Sequence, residues 1–303
     1  MTTSTEPAGL PAVKERPAPA AAAPRAARSG RVLNAFSHTF LLVWALLVTL
    51  PLLWAAMTSL KTDGEIFAHP WALPASLHFD NWSRAWGEAD IGRYLLNSLI
   101  VVGGSLAGTM LLGVMAAYVL ARYPFPGNRL LYYLFVGGMS FPAILALVPL
   151  FFVERNLGLL SSYQGLVLTY IAYSLPFTVF FLTSFFRTLP GSVAEAAEID
   201  GASHSRIFFQ VMLPMARPGL VSVGIFNFLG QWNQYLLPLV LNNQDERRFV
   251  LPQGLARLAV SQGYKGDWSG LFAGLVLAML PVLVVYVVFQ RQVQSGLTAG
   301  VLK

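Results

Sequence analysis

The chain has 303 residues, 55% of them hydrophobic and 11% charged, and a net charge of +6. Soluble domains carry about 25% charged residues, so this composition points to a polytopic membrane protein. The absence of cysteine excludes disulfides, thiolate metal sites and cysteine nucleophiles. A basic balance fits either a nucleic-acid binder or a membrane protein that keeps Lys and Arg on its cytoplasmic side.

Residues 1–33 form an Ala/Pro-rich tail, with Lys14, Arg16, Arg25 and Arg28 and almost no large apolar group. Such a segment buries too little surface to offset its ordering entropy, so a disordered cytoplasmic tail is expected. The apolar run that follows is longer than the ~7–15 residues of a signal-peptide core and is expected to remain as an anchor. A membrane-crossing helix needs about 20 mostly apolar residues. Six windows qualify: 36–59, 94–121, 129–152, 164–186, 218–241 and 268–289. Their cores carry no Asp, Glu, Lys or Arg. In lipid every backbone polar group must pair internally, which makes helices the expected form of runs this long. The expectation is an all-α, six-span helical bundle over 34–291, followed by a C-terminal tail, 292–303.

With the N-terminus inside, twelve of the 20 Lys and Arg residues fall on the cytoplasmic side and eight outside. The tail before the first span dominates this bias, and the first helix usually sets orientation. Both termini and the loop 187–217 are then cytoplasmic. Pro51, Pro142, Pro149, Pro176, Pro238 and Pro281 punctuate the spans and are candidate kinks. Gly104 and Gly108, and Gly270 and Gly274, form small-xxx-small pairs suited to close helix packing.

The loop 187–217 is a polar, helix-competent island. Ser192-x-x-Glu195 has capping-box spacing, and Gly201 suits a left-handed helix C-cap. Ser203 or Ser205 can begin a second helix through Met212, which Pro214 would end. Glu195, Glu198 and Asp200 give the first element an acidic face, while Ala196, Ala197 and Ile199 offer small apolar contacts. Three readings are open: a solvated capped helix, a DNA-reading helix-turn-helix, or a docking helix for a soluble partner. DNA reading needs basic or amide side chains on the second helix. Only Arg206 and Gln210 are there, which argues against nucleic acid.

Asn227 and Gln231-Trp232-Asn233-Gln234-Tyr235 place amides and aromatics in the fifth window. Amides in hydrocarbon must be paired or face water. They could line a pathway for a hydroxyl-rich solute, or bond between helices with Trp and Tyr in an interfacial belt. The segment 242–267, with Arg247, Arg248, Gln253, Gln262 and Lys265, is either a partner contact or a solvated loop.

The stretch Glu195-Ala196-Ala197-x-x-Asp200-Gly201-Ala202, followed by Leu213-Pro214, resembles the coupling loop of ATP-binding-cassette importer permeases. Trp232-Asn233-Gln234-Tyr235 and the tail Gly296-Leu297-Thr298-Ala299-Gly300-Val301-Leu302-Lys303 are similar to stretches of the carbohydrate-uptake branch, in particular its shorter, maltose-system-like permease. The resemblance covers roughly 36–303. It implies a permease subunit in the bacterial cytoplasmic membrane that forms half of a sugar or oligosaccharide pathway. Its implied partners are a second permease, two ATP-binding subunits and an extracytoplasmic substrate-binding protein that meets segment 242–267, in a setting of membrane lipid. Glu195, Ala196, Ala197, Asp200, Gly201, Leu213 and Pro214 are then the coupling residues, and Glu195 and Gly201 correspond to the family's loop glutamate and glycine. A permease for a non-sugar solute is an alternative within the family. An ion-coupled secondary transporter is an alternative outside it, but the spans lack the Asp, Glu or His that such proteins place near the midplane. There is no H-E-x-x-H and no G-x-x-x-x-G-K-[ST], so no enzyme activity, cofactor or metal is expected in this chain.

Overall fold

The computed structural model describes residues 25–299. Residues 1–24 and 300–303 lie outside the described residues, and with them most of the Ala/Pro-rich tail and the end of the C-terminal motif. The described residues form helices joined by turns and contain no strand. The chain divides into two compact units, Met1–Leu52 and Leu53–Lys303.

The first unit holds most of α1 (Arg25–Thr58), whose Phe36–Thr58 part is apolar enough to cross a membrane. It begins before residue 34 because Ala26, Ala27 and Arg28 are good helix formers.

The second unit contains the remaining elements. Three helices are long and apolar enough to span by themselves: α4 (Ile91–Arg122), α7 (Tyr163–Thr188) and α14 (Trp268–Ala299). The bounds of α4 and α7 match the expected windows to within a few residues, whereas α14 starts with its window but runs past residue 291 into the expected tail. The third window is not one helix. It is α5 (Asn128–Met139) and α6 (Ala143–Asn156), bent by 103° at the break between them. Gly137, Gly138 and Ser140 are weak helix formers. Pro142 also disfavours helical geometry at Phe141 before it. The fifth window is interrupted too: α11 (Arg217–Trp232) ends at Asn233, and α12 (Leu236–Leu241) follows.

Helices α4 and α7 pack closely side by side. A Cβ on Gly108 would press on the Ile171 side chain of α7, which would have to shift to admit it. Helix α11 packs on α4, α7 and α14. Beyond the Ile91 end of α4, the short helices α2 (Asp63–Ala68) and α3 (Asp80–Gly87) form a cap. Thr62 opens α2 with a true capping box: its hydroxyl accepts from the Glu65 amide, and Glu65 accepts from the Thr62 amide. The cap is held from within by polar groups. Buried Lys61 donates to the carbonyls of His69 and Pro70 at 3.1 Å each. Asn81 donates to the carbonyls of Ser59 and Lys61. Arg84 pairs with Asp80 and Asp267, which ties the cap to the start of α14. Between α12 and α14 lies α13 (Leu251–Lys265), which packs on α4 and α14.

Candidate functional site: a coupling loop and a bundle cavity

Two features of the second unit carry the candidate functional residues. The first is the loop 187–217. Helix α8 (Gly191–Ile199) opens at Pro190, whose φ of −60° and ψ of 126° provide the extended conformation of an N-cap. Pro190 has no capping side chain, and Ser192 already sits inside the helix. The capping box expected between Ser192 and Glu195 therefore does not form, because Pro190 starts the helix too early for Ser192 to occupy the cap. Arg122 Nη2 instead donates to the Leu189 carbonyl at 2.7 Å, pinning the approach to α8 onto the end of α4.

The C-terminus of α8 matches the expectation. Gly201 has φ +77°, its amide donates to the Glu198 carbonyl, and the Ala202 amide donates to the Ala197 carbonyl. These two bonds make a Schellman cap. Ser203 then caps α9 (His204–Arg206). The chain next winds through a π-helical turn, Ile207–Met212, into α10 (Leu213–Met215). Pro214 does not end the helix. A π turn is wider than an α turn, and it leads into Pro214 with the Leu213 amide bonded to the Phe208 carbonyl. The helix stops at Ala216, where the axis turns 74° into α11.

The two arms of the loop have opposite surfaces. Ile207, Phe208, Met212 and Ala216 are buried with Tyr118 of α4 and Phe186 of α7. The Tyr118 and Phe208 rings lie 4.8 Å apart. Helix α8 touches this cluster only through Ala194 and Ala197. Glu195, Ala196, Glu198 and Asp200 are exposed, and Ile199 is 87% exposed. The loop is thus an acidic grip on a rooted stem, with Ile199 and Phe209 bare.

The second feature is an open cavity of about 250 Å³ bounded by α5, α7, α11 and the backbone break after Met139. Asn227, Gln231 and Gln234 line it. Asn227 and Gln231 are 5% and 4% exposed, and both are bonded across helices. Asn227 Nδ2 donates to Thr178 Oγ1 at 2.7 Å and Gln231 Nε2 to Ser174 Oγ at 2.9 Å. Ser105 Oγ donates to Gln231 Oε1 at 2.8 Å. The other three residues of the expected set point elsewhere. Trp232 is buried on the opposite face, stacked on Phe228 and bonded to the Ala278 carbonyl. Asn233 is exposed and bonds back to Leu229. Tyr235 lines a separate pocket with Phe249 and Arg257. Neighbours on an α-helix are rotated by about 100°, so a run of consecutive polar residues cannot share one wall. The spacing Asn227-x-x-x-Gln231 can, and Ser174-x-x-x-Thr178 on α7 is its matching counterpart. Tyr170, Tyr173 and Phe141 complete the wall and carry no sequence signal of their own. Glu154, near the end of α6, is also buried at 3% exposure. Its Oε1 accepts from Thr169, and no bond to Oε2 occurs among the described residues.

The family described as the binding-protein-dependent transport system inner membrane component matches residues 109–298, which include the loop and the cavity. The chain belongs to this family. It is 54% identical over 275 residues to the diacetylchitobiose uptake system permease protein NgcG of Streptomyces coelicolor, covering 91% of each chain. It is 37% identical over 281 residues to the sulfoquinovosyl glycerol transport system permease protein SmoH of Agrobacterium fabrum, covering 91% of this chain and 95% of the relative. A solved bacterial ABC transporter involved in import of the acidic polysaccharide alginate shares the fold. Its TM-score is 0.77 at 22% identity, covering 87% of this chain and 97% of that one. The chain is accordingly a permease subunit of an ABC importer: an inner-membrane transport component, not an enzyme, that works with separate ATP-binding subunits and a substrate-binding protein.

Proposed function

We propose that the chain forms half of the translocation pathway for a sugar or oligosaccharide, paired with a second, different permease subunit in lipid. Its α1, α4, α5–α6, α7, α11–α12 and α14 are the six crossings, with both termini and the loop 187–217 in the cytoplasm. The loop receives force from one of two ATP-binding subunits. Glu195 and Asp200 suit charge-assisted bonds to basic groups there, Ala196 permits close approach, and Gly201 fixes the end of the gripped helix. Leu213 and Pro214 pass the movement to α11. Alternating access then follows from the different affinities of ATP for the two arrangements of the assembly. The solute class is supported by the named sugar systems among the relatives and by the amides and aromatics of the cavity. On the outer side, segment 242–267 receives the substrate-binding protein.

The observation that carries this reading is the division of the loop into an exposed acidic grip and a stem buried against α4 and α7. A Glu198→Cys substitution, in a chain with no cysteine of its own, tests it. The new thiol should react with an impermeant maleimide only after the cells are opened, and should crosslink to an ATP-binding subunit in the assembled transporter. Labelling from outside intact cells would put the loop on the wrong side and end the proposal.

A further inference from the structure

Non-helical backbone at membrane depth is tolerated where it is buried in protein or lines a watery cavity. The break between α5 and α6 meets that condition at the cavity, where Met139 and Phe141 form part of the wall. Three properties of the wall narrow what it can hold.

First, no Asp, Glu, Lys, Arg or His is among its lining residues. A charged solute would leave water for a wall of this chain that offers it no countercharge.

Second, the unspent polar valences suit hydroxyls. Asn227 uses its amide N–H on Thr178, and no bond to its carbonyl oxygen occurs among the described residues. Ser174 Oγ accepts from Gln231 and keeps its own proton to donate. The Gln234 side-chain amide has no bond among the described residues and offers both functions. Tyr173, Phe141 and Phe226 supply apolar faces. A pocket mainly of aromatic walls with a few fixed polar groups is the usual form of a small-molecule site.

Third, about 250 Å³ falls below the ~300–1,000 Å³ of pockets that enclose drug-sized ligands. One sugar ring fits this scale, and a longer chain would have to thread.

We infer that this cavity is a one-ring subsite for uncharged sugar units, contributed by this chain itself, and that it rejects acidic sugars. The inference rests on the half-pathway reading and adds to it where in this chain the solute is held and which charge it carries.

The test uses the full assembly with both permeases, ATP-binding subunits and binding protein. Met139→Cys places the sole thiol of this chain at the cavity wall. Maleimide labelling of that thiol is followed with N-acetylglucosamine or glucuronate present at matched concentrations. N-acetylglucosamine should slow labelling at least fivefold, and glucuronate should leave it unchanged. Adding Gln234→Lys should make glucuronate protective. Equal protection by the two sugars, or by neither, overturns the subsite. In parallel, ATP hydrolysis by the unsubstituted assembly is measured with and without loaded binding protein. Stimulation there, without sugar protection of the introduced thiol, means that the half-pathway reading survives and the subsite falls. Absence of stimulation removes both.

Discussion

The same four-residue pattern, Ser/Thr-x-x-Glu, occurs twice among the described residues and folds in two ways. Thr62-x-x-Glu65 closes a capping box, with the Glu65 carboxylate bonded to the amides of Thr62 and Ala75. Ser192-x-x-Glu195 does not, because Pro190 has already begun α8. What differs is the backbone at the first residue: Thr62 is extended, at φ −80° and ψ 159°, whereas Ser192 is helical. The consequence is chemical. Glu65 is consumed by its own helix, and Glu195 is left exposed. A sequence pattern records what a side chain can reach, and the residue before it decides whether that reach is used.

The largest effect expected from this contrast is functional. Glu195→Lys should reduce binding-protein-stimulated ATP hydrolysis to the unstimulated rate. The thermal midpoint should barely move, since exposed substitutions usually stay within about 0.5 kcal/mol. Normal stimulation in this variant would show that the free carboxylate has no partner. Next is Phe208→Ala in the stem, which empties a buried aromatic site. A loss of about 3–5 kcal/mol is expected, read as a drop in thermal midpoint with coupling lost alongside the fold. Gly201→Ala should cost about 1–2 kcal/mol because its φ is positive. Gly201→Asn should recover part of that, and recovery of ATPase stimulation in step would tie coupling to the Schellman cap. Thr62→Ala should cost about 0.5–2 kcal/mol, seen as faster amide exchange over 62–75 with coupling intact. Uncoupling by this variant would contradict the distinction between the two glutamates.

The smallest effect separates the two regions by pH. Burial alone would raise the Asp267 carboxyl, but bonds from Arg84, the Gly270 amide and Ser269 outweigh it and hold the group below the usual carboxylate range. The amides of Thr62 and Ala75 lower Glu65 in the same way. Both groups therefore stabilise the cap above the unfolded carboxylate values of about 4. That contribution is lost only as pH falls through the lower folded values. Amide protection factors in 59–90, corrected for the intrinsic pH dependence of exchange, should stay flat down to about pH 5 and fall below about pH 4. A fall starting near pH 6 would disprove the assignment.

The spans were legible where length alone sets them. Helices α4 and α7 end within a few residues of their apolar windows, and α14 starts with its window; Pro176 and Pro281 lie inside α7 and α14 without ending them. The break after Met139 was legible only as an isolated proline: spans tolerate Pro142 singly, and the 103° bend comes from its conjunction with Gly137, Gly138 and Ser140. In the loop, Gly201 was legible because a positive φ singles out glycine. The fate of Pro214 was hidden, since a π turn has no composition of its own. Half of the expected pathway residues reached the cavity. Helical rotation set apart the rest, and their partners Ser105, Ser174 and Thr178 lie on distant stretches that one sequence does not pair. The burial of Glu154 depends on its Thr169 contact across to α7, which is likewise tertiary.

The stitches among α4, α7 and α11 are all neutral: amide to hydroxyl, and hydroxyl to amide. Inside membranes each such bond contributes on average about 0.6 kcal/mol, and water can replace it nearly in kind. Parting these helices would strand no ion in hydrocarbon. The seam can therefore be opened by water and closed again at low cost.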